Sequence, residues 1–219
     1  MTTGARRACG RLRAGMNPFP ITMLSVLVLA HVLAACGSST ATTATRLVRI
    51  SPVTATGTPA GGFRVATTAA GATCEPGSEA IGQAYRCFAG NAIYDPCWGE
   101  QAAAPTVVCL PYPWSRTEVV LRVRAALGPI PSQGGPGLGE PWGLELATGQ
   151  RCLLAQGAHT EFAGRVIDFY CSAKFWLLRG LTEHSLVWRA ASVVISASGK
   201  QSRGPTEAIL IAWFGRPDA

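Results

Sequence analysis

Of eight cysteines, Cys9 and Cys36 lie at the N-terminal end; the other six, Cys74, Cys87, Cys97, Cys109, Cys152 and Cys171, constrain this chain more than any other feature, because they are even in number and far apart. Zinc sites usually draw on cysteine pairs two to four residues apart, and no two of these lie closer than ten residues. The spacing therefore argues for cross-links and against a metal site; no cofactor is expected. Disulfides persist in oxidising compartments, so the chain has to leave the cytoplasm. Six cysteines allow fifteen pairings, and spacing alone does not choose among them. Cys152 and Cys171 sit on adjacent expected strands and are paired first. Cys97 with Cys109 comes next, and Cys74 with Cys87 follows by elimination.

An export signal stands at the start of the 219-residue chain. Arg6, Arg7, Arg11 and Arg13 precede an apolar run from Ile21 to Ala35. A spanning helix needs about 20 apolar residues, so this shorter run is read as the core of a secretory signal. Met16 and Met23 are alternative starts, although a start at Met23 discards every basic residue of the signal. A twin-arginine route is disfavoured, because Ala8, Cys9 and Gly10 follow the Arg6-Arg7 pair where apolar residues are usual.

The apolar run ends in Leu33-Ala34-Ala35-Cys36-Gly37-Ser38-Ser39. This resembles the lipobox of bacterial lipoproteins. The resemblance implies that residues 1–35 are removed and that the Cys36 thiol carries a diacylglyceryl group. Two or more acyl chains anchor stably where one is marginal. The expected location is the extracytoplasmic face of the cell membrane, with the membrane as a partner through the N-terminal lipid.

The net charge of +7 overstates what the exported part carries. Without the signal arginines it has 15 basic and 12 acidic side chains, and from Cys74 onward 12 of each. Nucleic-acid binding needs a concentrated basic face, so no nucleic-acid partner is expected. Arg46, Arg49 and Arg64 lie before Cys74 and are assigned to contact with an anionic leaflet. Residues 36–73 are rich in Ala, Thr, Ser and Gly and read as a flexible tether, with the folded domain at 74–219.

Within that domain the clearest patterns have period two. Val119–Ala125 alternates as a half-buried strand. Gly143–Ala147 and Arg151–Leu154 flank a Thr148-Gly149-Gln150 turn as a hairpin. Arg165–Cys171, Phe175–Leu178, Ser185–Ser196 and Glu207–Phe214 complete the set, with a turn-rich stretch from Ala197 to Pro205. Ser78–Cys87 is expected as a short helix, and Pro129–Pro141 as a Gly/Pro loop. The expected fold is mainly β: an antiparallel sandwich or partly open barrel with one or two short helices, disulfide-stabilised.

Tyr85-Arg86-Cys87-Phe88, Tyr94-Asp95-Pro96-Cys97-Trp98, Trp142-Gly143-Leu144-Glu145-Leu146 and Phe169-Tyr170-Cys171 carry a second resemblance. Together they are similar to an uncharacterised group of secreted proteins and lipoproteins from GC-rich actinobacteria, from Cys74 to about Trp213. This resemblance implies a shared domain and brings no activity with it.

Candidate chemistry is sparse, and no catalytic residue is assigned. Asp95 before Pro96 reads as a turn residue that caps backbone amides, rather than as a catalytic carboxylate. His159, Asp168 and Ser172 could be nominated as a triad, but none sits in a nucleophile-elbow context. Glu140 with Glu145, or Glu161 with Asp168, could be nominated as glycosidase pairs; scattered surface acids explain them equally well. Trp98, Trp114 and Trp142 are the candidates for stacking on wall polymer, against the alternative that bulky aromatics fill the core. Trp188 and Trp213 are expected in the core. These readings favour a non-catalytic module that binds wall polymer or an envelope protein, over a small extracytoplasmic hydrolase acting on envelope polymer.

Overall fold

The computed structural model describes residues 43–54, 57–99, 106–130 and 140–215. Among them are thirteen strands and no helix. After β1 (Arg46–Ile50), the strands β2 (Arg64–Pro76), β3 (Tyr85–Ala89), β4 (Ala92–Trp98), β5 (Thr106–Cys109) and β6 (Thr117–Val123) follow in order. β2 to β6 pair antiparallel in chain order, and a parallel pairing of β6 with β2 closes them into a barrel. The second half comprises β7 (Gly143–Leu146), β8 (Arg151–Leu154), β9 (Glu161–Phe162), β10 (Arg165–Ser172), β11 (Phe175–Leu178), β12 (Arg189–Ile195) and β13 (Gln201–Gly215). These form a sheet in the order β1-β13-β12-β11-β10-β8-β7, with β9 on β10. A further pairing of β13 with β7 turns that sheet back on itself. At 15 residues, β13 is long enough to serve β12 with its first half and both β7 and β1 with its second.

The mainly antiparallel, disulfide-stabilised β architecture agrees with the sequence reading, and each disulfide joins neighbouring strands. Cys74 and Cys87 face each other across β2 and β3, and Cys97 and Cys109 across β4 and β5. Cys152 of β8 is bonded to Cys171 of β10. Alternation divides the packing. Val107, Cys109 and Leu121 point into the barrel with Ala72 and Tyr85. Trp98, Val108 and Val120, at the intervening positions, point outward. There they join Trp142, Leu144, Leu146, Phe169 and Phe214 in the main core.

Two expectations are corrected. The segment 36–73 is not spacer throughout, because it contains β1 and most of β2. Its Ala/Thr composition cannot drive burial alone, but β2 is held by a backbone ladder to β6 from Arg64 to Ala72 and to β3 from Thr73 to Pro76. A five-stranded barrel has a narrow interior, and the fully buried Ala72 suits it. Register shifts flank Ala66 and Gly71; Gly71 has a φ of 76°, a conformation that glycine adopts freely. The second correction concerns Ser78–Cys87, which is not helical. Asp95 on β4 accepts hydrogen bonds from the Ser78 hydroxyl and from the Glu79 N–H (3.1 Å). The Ser78 oxygen in turn accepts from Ala80 and Ile81 N–H, each at 3.0 Å. Those bonds fold 78–81 into a tight bend, and β3 begins at Tyr85.

Candidate functional site

An open cleft of about 650 Å³ lies where the chain passes from the second sheet to the barrel. β1 forms one side. It pairs in parallel with Ile211–Gly215 of β13, so that Arg46 and Arg49 line the opening. Phe63, just before β2, and Arg116, just before β6, form another side. The Arg64 N–H donates to the Arg116 carbonyl at 2.8 Å, joining these two strand entries. Arg151 of β8 and Glu145 of β7 stand opposite each other across the hairpin and complete the lining.

Two of the four arginines rest on aromatic rings. The Arg116 guanidinium lies 5.2 Å from the Phe63 ring centre, and that of Arg151 lies 5.5 Å from the Trp114 ring centre. Such stacking is attractive and restrains a long side chain. Arg151 Nε also donates to Glu145 Oε2 at 2.9 Å. Trp114 meets Trp213 edge-on at 5.4 Å and Tyr112 at 5.8 Å. Among the described residues of the lining, Glu145 is the only acid, against four arginines.

Gly143 lets this loop sit down on β7. A Cβ there would come within 2.5 Å of Pro113 Cγ and 3.0 Å of Trp114 Cζ3. Gly143→Ala is expected to lose about 1–3 kcal/mol through overpacking and to displace the Arg151 platform. Chemical denaturation followed by tryptophan fluorescence measures both effects. An unchanged midpoint and spectrum would show that the loop is not held there.

The nominated residues fare differently. Cys36 lies outside the described residues. Trp98 and Trp142 do not form a stacking surface: both are buried, with ring centres 5.9 Å apart in the core. Of the three polymer candidates, Trp114 lines this cleft and the other two do not. Trp188 and Trp213 are core, as expected. Asp95 caps an amide, although the amide belongs to Glu79, sixteen residues earlier. Burial pushes its carboxyl above the usual range, opposed by the hydrogen bonds from Ser78 and Glu79.

The triad members engage other partners. His159 faces Glu79 at 3.7 Å, Asp168 is gripped by Arg179 Nε at 3.0 and 3.1 Å, and the Ser172 hydroxyl accepts from Lys174 N–H. The carboxylate pairs are also split. Glu145 is in the arginine cleft, whereas Glu140 lines a separate pocket of about 200 Å³ with Asp168 and Glu183. Burial there raises the Glu183 carboxyl, Glu140 adds to the rise, and His184 opposes it. Glu161 lies on β9, paired with Val166 of β10.

In the barrel, the sulfurs of Cys87, Cys97 and Cys109 lie within 4.8 Å of one another. Two stacked disulfides account for that approach, and a bonded sulfur is not the thiolate a metal requires.

The arginine cleft was missed by sequence reasoning. Its cations come from positions 46, 49, 116 and 151, which no local motif connects. Assigning Arg46 and Arg49 to a spacer removed half of them, and the balanced charge after Cys74 concealed the other two. Compared with known proteins, this chain matches no family model, no curated protein and no solved structure.

Proposed function

We propose that this chain is a cell-envelope lipoprotein, cleaved before Cys36 and anchored there by lipid to the outer face of the cytoplasmic membrane. Its folded domain acts as a non-catalytic binding module that holds its ligand in the arginine cleft. The resemblance of Leu33–Cys36 to a lipobox supports the anchor, and three disulfides suit an exported domain. The cleft carries the binding reading: it is large enough for part of a polymer or small ligand, and its described lining holds no histidine or cysteine. Its single carboxylate is tied to Arg151, which leaves it poorly placed for proton transfer.

Cys36→Ser is expected to move the protein from the membrane fraction to the medium, or to leave it unprocessed. A Cys36→Ser form that is cleaved yet stays on the membrane would exclude lipid anchoring at this residue.

The alternative, a small hydrolase acting on envelope polymer, has one supporting observation. Glu140 and Glu183, whose carboxyl is raised by burial, share the smaller pocket, and glycosidases divide their work between two carboxyl groups set in different environments. Release of reducing ends from wall polymer, abolished by Glu183→Gln, would establish that reading.

A further inference from the structure

The arginine cleft has features that narrow its ligand, provided that the cleft is the binding site. We propose that it holds a linear polyanion, a chain presenting oxyanion groups, phosphodiester or carboxylate, on successive units.

Charge supports this first. Four guanidiniums and one carboxylate leave a surplus of three positive charges around about 650 Å³. The described structure offers no compensating acid in the lining beyond Glu145. Arginine is suited to the task, because its planar fork donates two parallel hydrogen bonds to an oxyanion.

Preorganisation supports it next. With Arg116 on Phe63 and Arg151 on Trp114, the flat faces are used for stacking and the N–H edges remain for a ligand. The Arg151 Nε is taken by Glu145, which leaves the terminal nitrogens as its anion-facing pair. Less side-chain entropy is then lost on binding than with free arginines.

The same geometry argues against other occupants. A neutral sugar would want an open aromatic face, yet Trp114 already carries Arg151 over its ring and Trp213 against it. A single small anion would engage one or two guanidiniums and leave most of the cleft empty. A lipid surface is flat, whereas these arginines line a concavity. Arginines on β1, before β6 and on β8 are spread over three elements, as a bound chain segment requires. Glu145 then acts as the specificity element: it holds Arg151 in the free protein and repels a misplaced anion.

The test uses the full chain in detergent with five probes: long-chain polyphosphate, polygalacturonate, neutral dextran, inorganic phosphate and an oligothymidylate. Phosphatidylglycerol vesicles form a sixth arm. Polyphosphate, polygalacturonate or both are expected to bind, and which one does distinguishes a phosphate from a carboxylate polymer. Three to four neutralised oxyanions, at a slope of about −0.7 per contact as for a single-stranded polyanion, imply an affinity loss of roughly 20- to 50-fold between 50 and 200 mM salt. Arg116→Ala with Arg151→Ala is expected to weaken binding at least tenfold, Arg116→Lys to weaken it less, and Glu145→Gln to strengthen it. Arg203→Ala, on an exposed face of β13, is the control and should change nothing. Unfolding midpoints of every variant separate lost binding from lost folding.

Dextran binding that depends on Trp114 would overturn the polyanion while leaving the cleft as a binding site. Preference for vesicles or for inorganic phosphate would overturn it as well; oligothymidylate is itself a phosphodiester chain, so arginine-dependent binding of it supports the polyanion. Binding unaffected by the arginine variants would move the ligand elsewhere. Failure of every probe would remove both the polyanion and the binding-module reading.

Discussion

Removing Cys97 and Cys109 together, as a double alanine variant, is expected to destabilise the domain by about 3 kcal/mol. The bond closes a short loop between β4 and β5, separated by 12 in sequence. Loop-closure entropy for a segment of that length gives a figure of this size. Both residues are fully buried in the barrel, so a small packing loss adds to it. The double variant is essential. With Cys97 alone replaced, the freed Cys109 sulfur would lie within 4.8 Å of Cys87, which is bonded to Cys74. A thiol so placed can attack that disulfide and exchange partners, and the result would measure a rearranged barrel. Urea unfolding without reductant, with disulfide mapping by mass spectrometry, reads the effect. A loss below about 0.5 kcal/mol would show that the backbone ladders and the parallel β2–β6 closure hold the barrel without this bond.

The contrast between what could and could not be read ahead follows from where the information lies. β6 and the β7–β8 hairpin were legible because alternate apolar residues share an interior: Val119, Leu121 and Val123 in the barrel, and Leu144, Leu146, Cys152 and Leu154 in the main core. The hairpin turn also carries Gly149 at a φ of 81°. Only the Cys152–Cys171 pair was legible from neighbouring expected strands; Cys97–Cys109 and Cys74–Cys87 followed by order and elimination, because β2 to β5 were not expected as strands. β2 was not legible. Its Ala, Thr and Gly side chains show little alternation, and its strand state depends on β3 and β6. Ser78–Cys87 failed for a related reason: the groups that fix its bend come from Asp95 on β4, sixteen residues beyond Glu79 in sequence. The cleft was the least legible feature, because topology alone gathers its arginines. Trp98 and Trp142 illustrate the opposite error, in which a conspicuous residue type is core. A preceding proline at a strand entry marked Trp114 and Trp142 alike. Only the Gly143 approach and the Arg151 contact distinguish Trp114 as part of the cleft.

Glu118→Met is expected to stabilise the domain at pH 8 by about 1–3 kcal/mol, because the native side chain is a buried carboxylate without a partner. Glu118 is fully buried on β6, and neither carboxylate oxygen accepts a hydrogen bond. Its register neighbour on β2 is Val65. On its own strand it shares the outward face with Val120, which packs against the main core. Burial pushes its pKa from 4.5 up to about 7, with no opposing charge nearby to bring it down. The folded state therefore holds this proton more tightly than the unfolded chain does. Its contribution to stability is fully present below about pH 4.5, shrinks as the pH rises towards 7, and is lost above that. Glu118→Gln keeps the shape and a polar group but cannot ionise. Its advantage over the native chain should be near zero at pH 4.5 and grow, by on the order of 2 kcal/mol, to a plateau above pH 7. The raised Asp95 carboxyl titrates in both proteins and cancels from the comparison. Denaturant unfolding at a series of pH values from 4.5 to 8 measures that difference directly. A gap that stays constant with pH would mean that Glu118 is ionised throughout and has a partner. The position of Glu118, two residues after Arg116, adds a consequence for the cleft. Ionisation loads an unpaired charge onto the strand entry that carries one of the four arginines. Ligand affinity of the native chain should therefore change across pH 6 to 8 more than that of Glu118→Gln, and equal pH profiles would confine the effect to stability.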